Sequence, residues 1–279
     1  MAVSTTPQIK TQFRTIDGLA IRYAESEPRD EHALLLSPWP ESLLAFEQMW
    51  APLAERAHLV AVDLPGYGHS DARNDLYPPR AMADFVIRLA DEFELDRLHG
   101  VGPHIGVASF LFAASSHPAR FRSLVVGSGS ASVPLALGAE LKQFVEAQDV
   151  EFLRGADPGD LVNEVLKYLE RYDLPESTRE DYRSGYLGER FIDSLKFVRS
   201  YPQELPILAD LLPGIQTPVQ IIQGDHDVGV LPVNANFLHE RLPHSKLDFV
   251  DANHFAYEDR AEEFAALILD WWNGGCQQV

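Results

Sequence analysis

A chain of 279 residues, 46% hydrophobic and 23% charged, can bury a sizeable core, as one domain carrying an insertion or as two smaller domains. Its formal net charge of -19 counts against a nucleic-acid partner, since nothing would offset the repulsion from phosphate. The single cysteine, Cys276, excludes an intrachain disulfide and a cysteine-built metal site.

Residues 1–15 contain no apolar leader, and no apolar run is long enough to span a bilayer, so a soluble, cytoplasmic protein without a membrane partner is expected. Along the chain, residues 12–24 read as a hairpin turning at Asp17-Gly18. A strand over 32–36 and a helix over 46–56 follow, then a strand over 59–63 that runs into Leu64-Pro65-Gly66-Tyr67-Gly68. The spacing of Met82, Phe85, Val86, Leu89 and Phe93 predicts a helix over 80–93. Next come a strand over 98–102, a helix over 104–116 and a strand over 123–127. From 133 to 212 the pattern is helical only, and the alternation then resumes with strands over 219–223 and 246–250 and helices over 233–241 and 260–272. Such alternation implies a mostly parallel central sheet with helices on both faces, here an α/β core domain formed by 1–132 and 213–279. The helical block, 133–212, is expected to be an inserted lid over the sheet's C-terminal edge.

One turn stands out. Gly102-Pro103-His104-Ile105-Gly106 ends a strand and opens a helix, and it has the form Gly-x-nucleophile-x-Gly. In that form a strained turn raises the middle side chain out of the sheet, and glycines flank it because the backbone passes close to its neighbours. Serine, cysteine or aspartate is usual in the middle. Here it is His104.

The order of elements resembles the α/β-hydrolase superfamily over nearly the whole chain, and within it the branch of epoxide hydrolases and haloalkane dehalogenases. The segment Ser37-Pro38-Trp39-Pro40-Glu41-Ser42 is similar to that branch's His-Gly-x-Pro loop, with Trp50 downstream. Asp63-Leu64-Pro65-Gly66-Tyr67-Gly68-His69-Ser70-Asp71 is similar to its Asp-x-x-Gly-x-Gly-x-Ser pattern. The resemblance implies an acid at Asp227, in Gln223-Gly224-Asp225-His226-Asp227, and a base at His254, in Asp251-Ala252-Asn253-His254-Phe255. A base oriented by a carboxylate would have Nδ1–H on Asp227 and Nε2 facing the pocket. Oxyanion or substrate contacts are expected from the N–H of Ile105 and from the loop at Pro38 and Trp39, whose indole N–H is a further candidate donor. Ile105 stands where dehalogenases have Trp, so an indole for a halide is missing there.

His104 changes the chemistry. Neutral imidazole is a nucleophile, and attack on an ester gives an acyl-imidazole that water can hydrolyse. Attack on an epoxide or alkyl halide gives an alkyl-imidazolium with no carbonyl for water to attack, which ends turnover. Three routes remain open: acylation of His104 during ester or lactone hydrolysis, direct activation of water by His254 to cleave an ester or open an epoxide, and proton shuttling between the imidazoles. The first two make a hydrolase of a small, largely apolar molecule. The third makes a lyase, isomerase, cyclase or cofactor-free oxygenase. An inert pocket histidine, capture of a ligand without turnover, and replacement of a native Asp or Ser are the alternatives.

No cofactor is expected. A metal site from His104, His254 and Asp227 is not expected either, because Asp227 should hold the far side of the His254 ring. Lid tyrosines Tyr168, Tyr172 and Tyr186 are candidate acids, although aromatic residues at helical spacing also build lid cores. His58, His69, His117, His226, His239 and His244 read as surface or capping residues, and Ser128 and Ser130 as turn residues. The oligomeric state is left open.

Overall fold

The structure, a computed structural model, describes residues 9–277. Eight strands form one sheet: β1 (Thr11–Ile16), β2 (Leu19–Glu25), β3 (His32–Leu36), β4 (His58–Val62), β5 (Leu98–Pro103), β6 (Phe121–Gly127), β7 (Val219–Gly224) and β8 (Ser245–Val250). Their order is β1-β2-β4-β3-β5-β6-β7-β8. Pairing is antiparallel for β1 with β2 and β2 with β4, and parallel from β4 onward. The sequence explains the division. His58–Val62 and Leu98–Pro103 are buried at every position, as strands covered on both faces must be, whereas the edge strand β1 is exposed or half-buried at every residue before Ile16. The hairpin turns at Asp17 (φ 49) and Gly18 (φ 80), two successive residues at positive φ as the tightest hairpin turn requires.

Helices α1 (Glu47–Arg56), α2 (Pro79–Glu92) and α3 (Ile105–Ser116) connect the early strands. Pro79 opens α2, where the missing N–H costs nothing, and its apolar stripe packs on α3. Helix α3 is buried from Ile105 through Ala114, so it is apolar all round, as the most enclosed helix of a layer has to be. The helix expected over 46–56 begins as a 3-10 turn, Leu43–Phe46, because the Ser42 hydroxyl accepts from the Leu44 N–H before α1 starts.

Between β6 and β7 lie α4 (Ala139–Glu146), α5 (Pro158–Leu166), α6 (Glu176–Ser184), α7 (Arg190–Arg199) and α8 (Tyr201–Leu211). The helical pattern expected from 133 starts later, at Ala139. The preceding stretch is held open by the buried Asn234, whose Oδ1 accepts from Ala131 and Ser132 N–H (both 3.0 Å) while its Nδ2 donates to Ala136 O (2.7 Å). Helix α6 is fastened to the sheet by charge. Arg22 of β2 donates two bonds to Asp181 (3.0 and 2.7 Å), and the Ser42 hydroxyl donates a third (2.6 Å). Burial alone would raise the Asp181 carboxyl, but donors from His69, Arg22 and Ser42 outweigh it and hold the group well below the usual carboxylate range.

The chain closes with α9 (Val233–Arg241), α10 (Ala256–Asp259) and α11 (Ala261–Asn273), the last packing on α1. Among the described residues no helix is long and apolar enough to cross a membrane. His58 differs from the surface role expected of it: as the first residue of β4 it is buried and paired with Glu25 (3.0 Å).

Candidate functional site

The parallel strands deliver the site. β5 ends at Pro103, and the chain turns through His104 into α3 with φ 57 and ψ -115 at His104. Positive φ in a residue with a Cβ costs on the order of 1–3 kcal/mol and persists only where the surroundings enforce it. They do so here. The His104 N–H is anchored to Gly127 O (2.9 Å), and its carbonyl accepts from Val107 N–H (3.2 Å). A Cβ on Gly102 would stand 2.6 Å from Phe110 Cδ2, and one on Gly129 would stand 2.4 Å from His104 O. Both glycines are therefore required by close approach.

His254 follows β8, on the turn into α10, and Asp227 lies on the loop after β7. Both are buried, and the imidazole Nδ1 stands 3.1 and 3.0 Å from the two oxygens of Asp227. Asp227 is itself held by three donors: the N–H groups of Gly229 and Val230 (2.8 Å each) on Oδ1, and Gln223 Nε2 (2.9 Å) on Oδ2. Gly229 lets this loop close over the ring, since a Cβ there would lie 3.3 Å from His254 Cγ and Nδ1. A carboxylate on that side fixes the proton on Nδ1 and leaves the Nε2 lone pair free.

The rings of His104 and His254 meet edge to face with centroids 5.0 Å apart, and Trp39 stands 5.8 Å from His104. His104 is 3% exposed, and its Nδ1 is buried with no hydrogen-bond partner. Burial, reinforced by the neighbouring His254, pushes the His104 pKa well below the ordinary histidine value, so the ring is neutral. An unsatisfied buried nitrogen costs roughly 1–3 kcal/mol, a cost that a merely structural residue would shed by finding a partner.

The cleft above the two histidines is also lined by Trp39, Gly138, Glu140, Leu141, Phe144, Val165, Tyr168, Val228 and Gly229. Its free volume is about 40 Å³, room for a few waters at most. The expected donors fall into two groups. Ile105 is the first residue of α3, so its N–H has no acceptor within the helix and stands beside His104. Pro38 and Trp39 are both buried on the loop after β3. The Trp39 indole N–H, however, donates to Ser194 Oγ of α7 at 2.7 Å and so does not serve the cleft. The tyrosines divide as well. Tyr168 lines the cleft and donates to Glu140 Oε2 (2.8 Å). Tyr186 is fully buried, donating to Glu41 O (3.1 Å) and accepting from Gly68 N–H (3.4 Å), while Tyr172 faces a separate surface cleft beside Arg171 and Asp259. Sequence reasoning missed Glu140, Val165 and Val228 as cleft residues, because nothing local distinguishes Glu140 and Val165 from other helical positions between β6 and β7, or Val228 from its neighbours on the loop after β7.

Both Asp227 oxygens are engaged by His254 and by their other donors. Among the described residues a three-group cluster, Asp225, His226 and Asp251, does converge, but all three are exposed and none lines the cleft.

Comparison with known proteins agrees with the fold. Residues 34–261 match the family described as alpha/beta hydrolase fold. The chain is 28% identical over 240 residues to a 2-hydroxy-6-oxononadienedioate/2-hydroxy-6-oxononatrienedioate hydrolase of Pseudomonas putida, covering 78% of each chain. The enol-lactonase of Burkholderia xenovorans LB400 superposes with a TM-score of 0.77 at 20% identity, covering 94% of this chain and 100% of that one. The epoxide hydrolase VrEH1 of Vigna radiata gives 0.77 at 17% identity, covering 97% and 100%.

Proposed function

We propose, from the premise that this chain belongs to the α/β-hydrolase fold family and is an enzyme of the hydrolase type, that it hydrolyses small, largely apolar esters or lactones through an acyl group carried transiently on His104. The observation that carries this reading is a neutral, unsatisfied imidazole on a strained elbow, 5.0 Å from the ring of a histidine already oriented by a carboxylate. A serine needs a base to become nucleophilic. Neutral imidazole does not, so His254 is free for the second half of the reaction.

In the first step the unprotonated nitrogen of His104 attacks the carbonyl carbon as the carbon–alkoxy bond breaks. Acylation makes the proton on the other ring nitrogen acidic; it is released to solvent, and the departing alkoxide takes a proton from water and leaves as the alcohol. The carbonyl oxygen gains negative charge beside the Ile105 N–H, at the positive end of α3. In the second step His254 Nε2 takes a proton from water, hydroxide attacks the acyl carbon, and the carbon–nitrogen bond breaks with that proton returned to His104. Asp227 stabilises the imidazolium formed in between. No cofactor enters either step.

Residues 133–212 act as a lid in this reading. A cleft of about 40 Å³ is far below the few hundred Å³ that a drug-sized ligand fills, so the inserted helices must move to admit substrate. The apolar lining from Trp39, Leu141, Phe144, Val165 and Val228 supports an apolar substrate, and Tyr168 is the one expected lid acid facing it. The enol-lactonase and hydrolase activities named for similar proteins belong to the same reaction class.

Rapid-quench intact-protein mass spectrometry with an activated aryl ester tests the reading. The expected result is a transient mass increase of one acyl group that maps to His104, decays with turnover and is absent from His104→Ala. Turnover in a single-turnover experiment with no adduct, at equal rates in the parent and His104→Ala, would overturn it and leave direct water activation by His254, the route open to epoxides. Product without labelled oxygen from labelled water would instead point to proton shuttling.

A further inference from the structure

Two buried carboxyl groups, neither of them lining the cleft, are not used by the reaction above. Glu41 follows Trp39 by two residues on the loop after β3, and Glu258 follows His254 by four on α10. Their exposures are 0% and 3%. Tyr257 donates its hydroxyl to Glu41 Oε2 at 2.6 Å, and Tyr182 of α6 donates to Glu258 Oε1 at 3.0 Å. The two remaining oxygens, Glu41 Oε1 and Glu258 Oε2, are buried without a donor. The carboxyl groups that carry them lie within hydrogen-bonding reach of each other.

Among the described residues, no cation is among the groups that act most strongly on the pair. Acting on the pair are Tyr257 and Asp259 of α10 and Tyr182 of α6, and Asp259 adds repulsion. Tyr172, on the link before α6, and Tyr186, on the turn after it, feel the field of the pair, and Gln48 of α1 contributes only an amide, donated to Glu258 O at 3.0 Å. Two adjacent carboxylates cannot both ionise in such a setting.

We propose that Glu41 and Glu258 share one proton, and that this carboxyl pair is a positioning element that ties the Trp39 loop, the His254 turn and the inserted helix α6 into one unit. A proton between Glu41 Oε1 and Glu258 Oε2 supplies the donor that both oxygens lack. Burial, then repulsion from Glu258, pushes the Glu41 carboxyl well above its ordinary value, so the shared proton is held above the ordinary glutamate range. The linkage has a definite sign. Above the ordinary glutamate pKa the folded protein binds one proton more than the unfolded chain, so the stabilisation is complete at low pH and erodes as pH rises toward the folded value. Losing the proton leaves two buried charges facing each other, and the contact through Tyr182 to α6 breaks.

The shared proton does not depend on the proposed hydrolysis; its effect on turnover does, so the two are measured separately. Infrared titration of the intact protein should show a protonated-carboxyl band at neutral pH that Glu41→Gln and Glu258→Gln each remove. In urea unfolding between about pH 5 and about pH 8, the folding equilibrium constant of the parent should fall up to about tenfold per pH unit more steeply than that of Glu41→Gln, whose amide donates without titrating. No such band in the parent, or parallel stability profiles, would overturn the shared proton. With an aryl ester, the alkaline fall in kcat/KM should move to higher pH in Glu41→Gln. An unmoved alkaline limb, with the infrared band confirmed, would overturn the positioning role and leave hydrolysis itself untouched.

Discussion

Replacing Asp227 by Asn separates the two halves of the proposed reaction. Asp227 Oδ1 accepts from two backbone N–H groups at 2.8 Å and Oδ2 from Gln223 Nε2 at 2.9 Å, while both oxygens face His254 Nδ1. An asparagine amide must turn its NH2 toward one of those sides. Facing the backbone it would oppose two donors, so it faces Gln223 and His254 instead. Gln223 cannot readily invert to receive it, because its Oε1 accepts from Ser128 N–H at 2.9 Å. The His254 proton is then driven from Nδ1 to Nε2, and the base disappears. Loss of a positioned general base costs about 10²- to 10⁴-fold, or about 3–5 kcal/mol in the barrier of the step that uses it. In the proposed route that step is deacylation, since His104 attacks as a neutral imidazole. Asp227→Asn should therefore still acylate with an activated aryl ester, at a rate within about tenfold of the parent's, and then stall. Intact-protein mass spectrometry at steady state should find the acyl adduct as the main species, although it is only transient in the parent. If acylation slows as much as turnover and no adduct builds up, His254 is needed to activate the nucleophile or water directly, and His104 is not acting alone. Far-ultraviolet circular dichroism and the urea midpoint would check the fold, since an unpaired Gln223 donor should cost roughly 1–3 kcal/mol of stability.

Two further outcomes follow from the same structure. The His104 pKa is depressed in the folded protein, so its stabilising share is complete above the ordinary histidine value near 6.5 and is lost as pH falls through the folded value. His104→Phe should flatten the acid side of the stability profile in urea unfolding, and an unchanged acid slope would refute a buried neutral ring. Ser194→Ala removes the hydroxyl that accepts the Trp39 indole N–H. That leaves a buried donor unpaired, so α7 should loosen by about 1–3 kcal/mol, with faster hydrogen exchange there; unchanged exchange would show that the contact does not hold the inserted helices.

Much of this was legible in the chain because the signals were local. Gly102-Pro103-His104-Ile105-Gly106 marks its own turn, and the apolar strands before Asp227 and His254 place those loops at one edge of a parallel sheet. Features joining distant segments gave no such signal. The Trp39 indole is turned away from the cleft by a serine 155 positions downstream, and Tyr257 meets Glu41 across 216 positions. Aromatic spacing in the inserted helices could not show which tyrosine faces the cleft, since a helix that covers a pocket also packs on its neighbours. Tyr168 and Tyr186 differ only in what lies opposite each of them.

At the elbow, the backbone is set by groups other than the side chain it displays. Gly102 against Phe110, Gly129 against the 104 carbonyl, and the bond from the 104 N–H to Gly127 O would all survive a change of residue there. The position behaves as a socket. Its neighbours, the Ile105 N–H and the His254–Asp227 pair, belong to other segments and need no adjustment when the occupant changes. One substitution could therefore exchange the imidazole at this position for a hydroxyl or a carboxylate while the fold is kept. In the proposed reading, reaction type is then a property of one exchangeable side chain, set against neighbours that other segments hold in place.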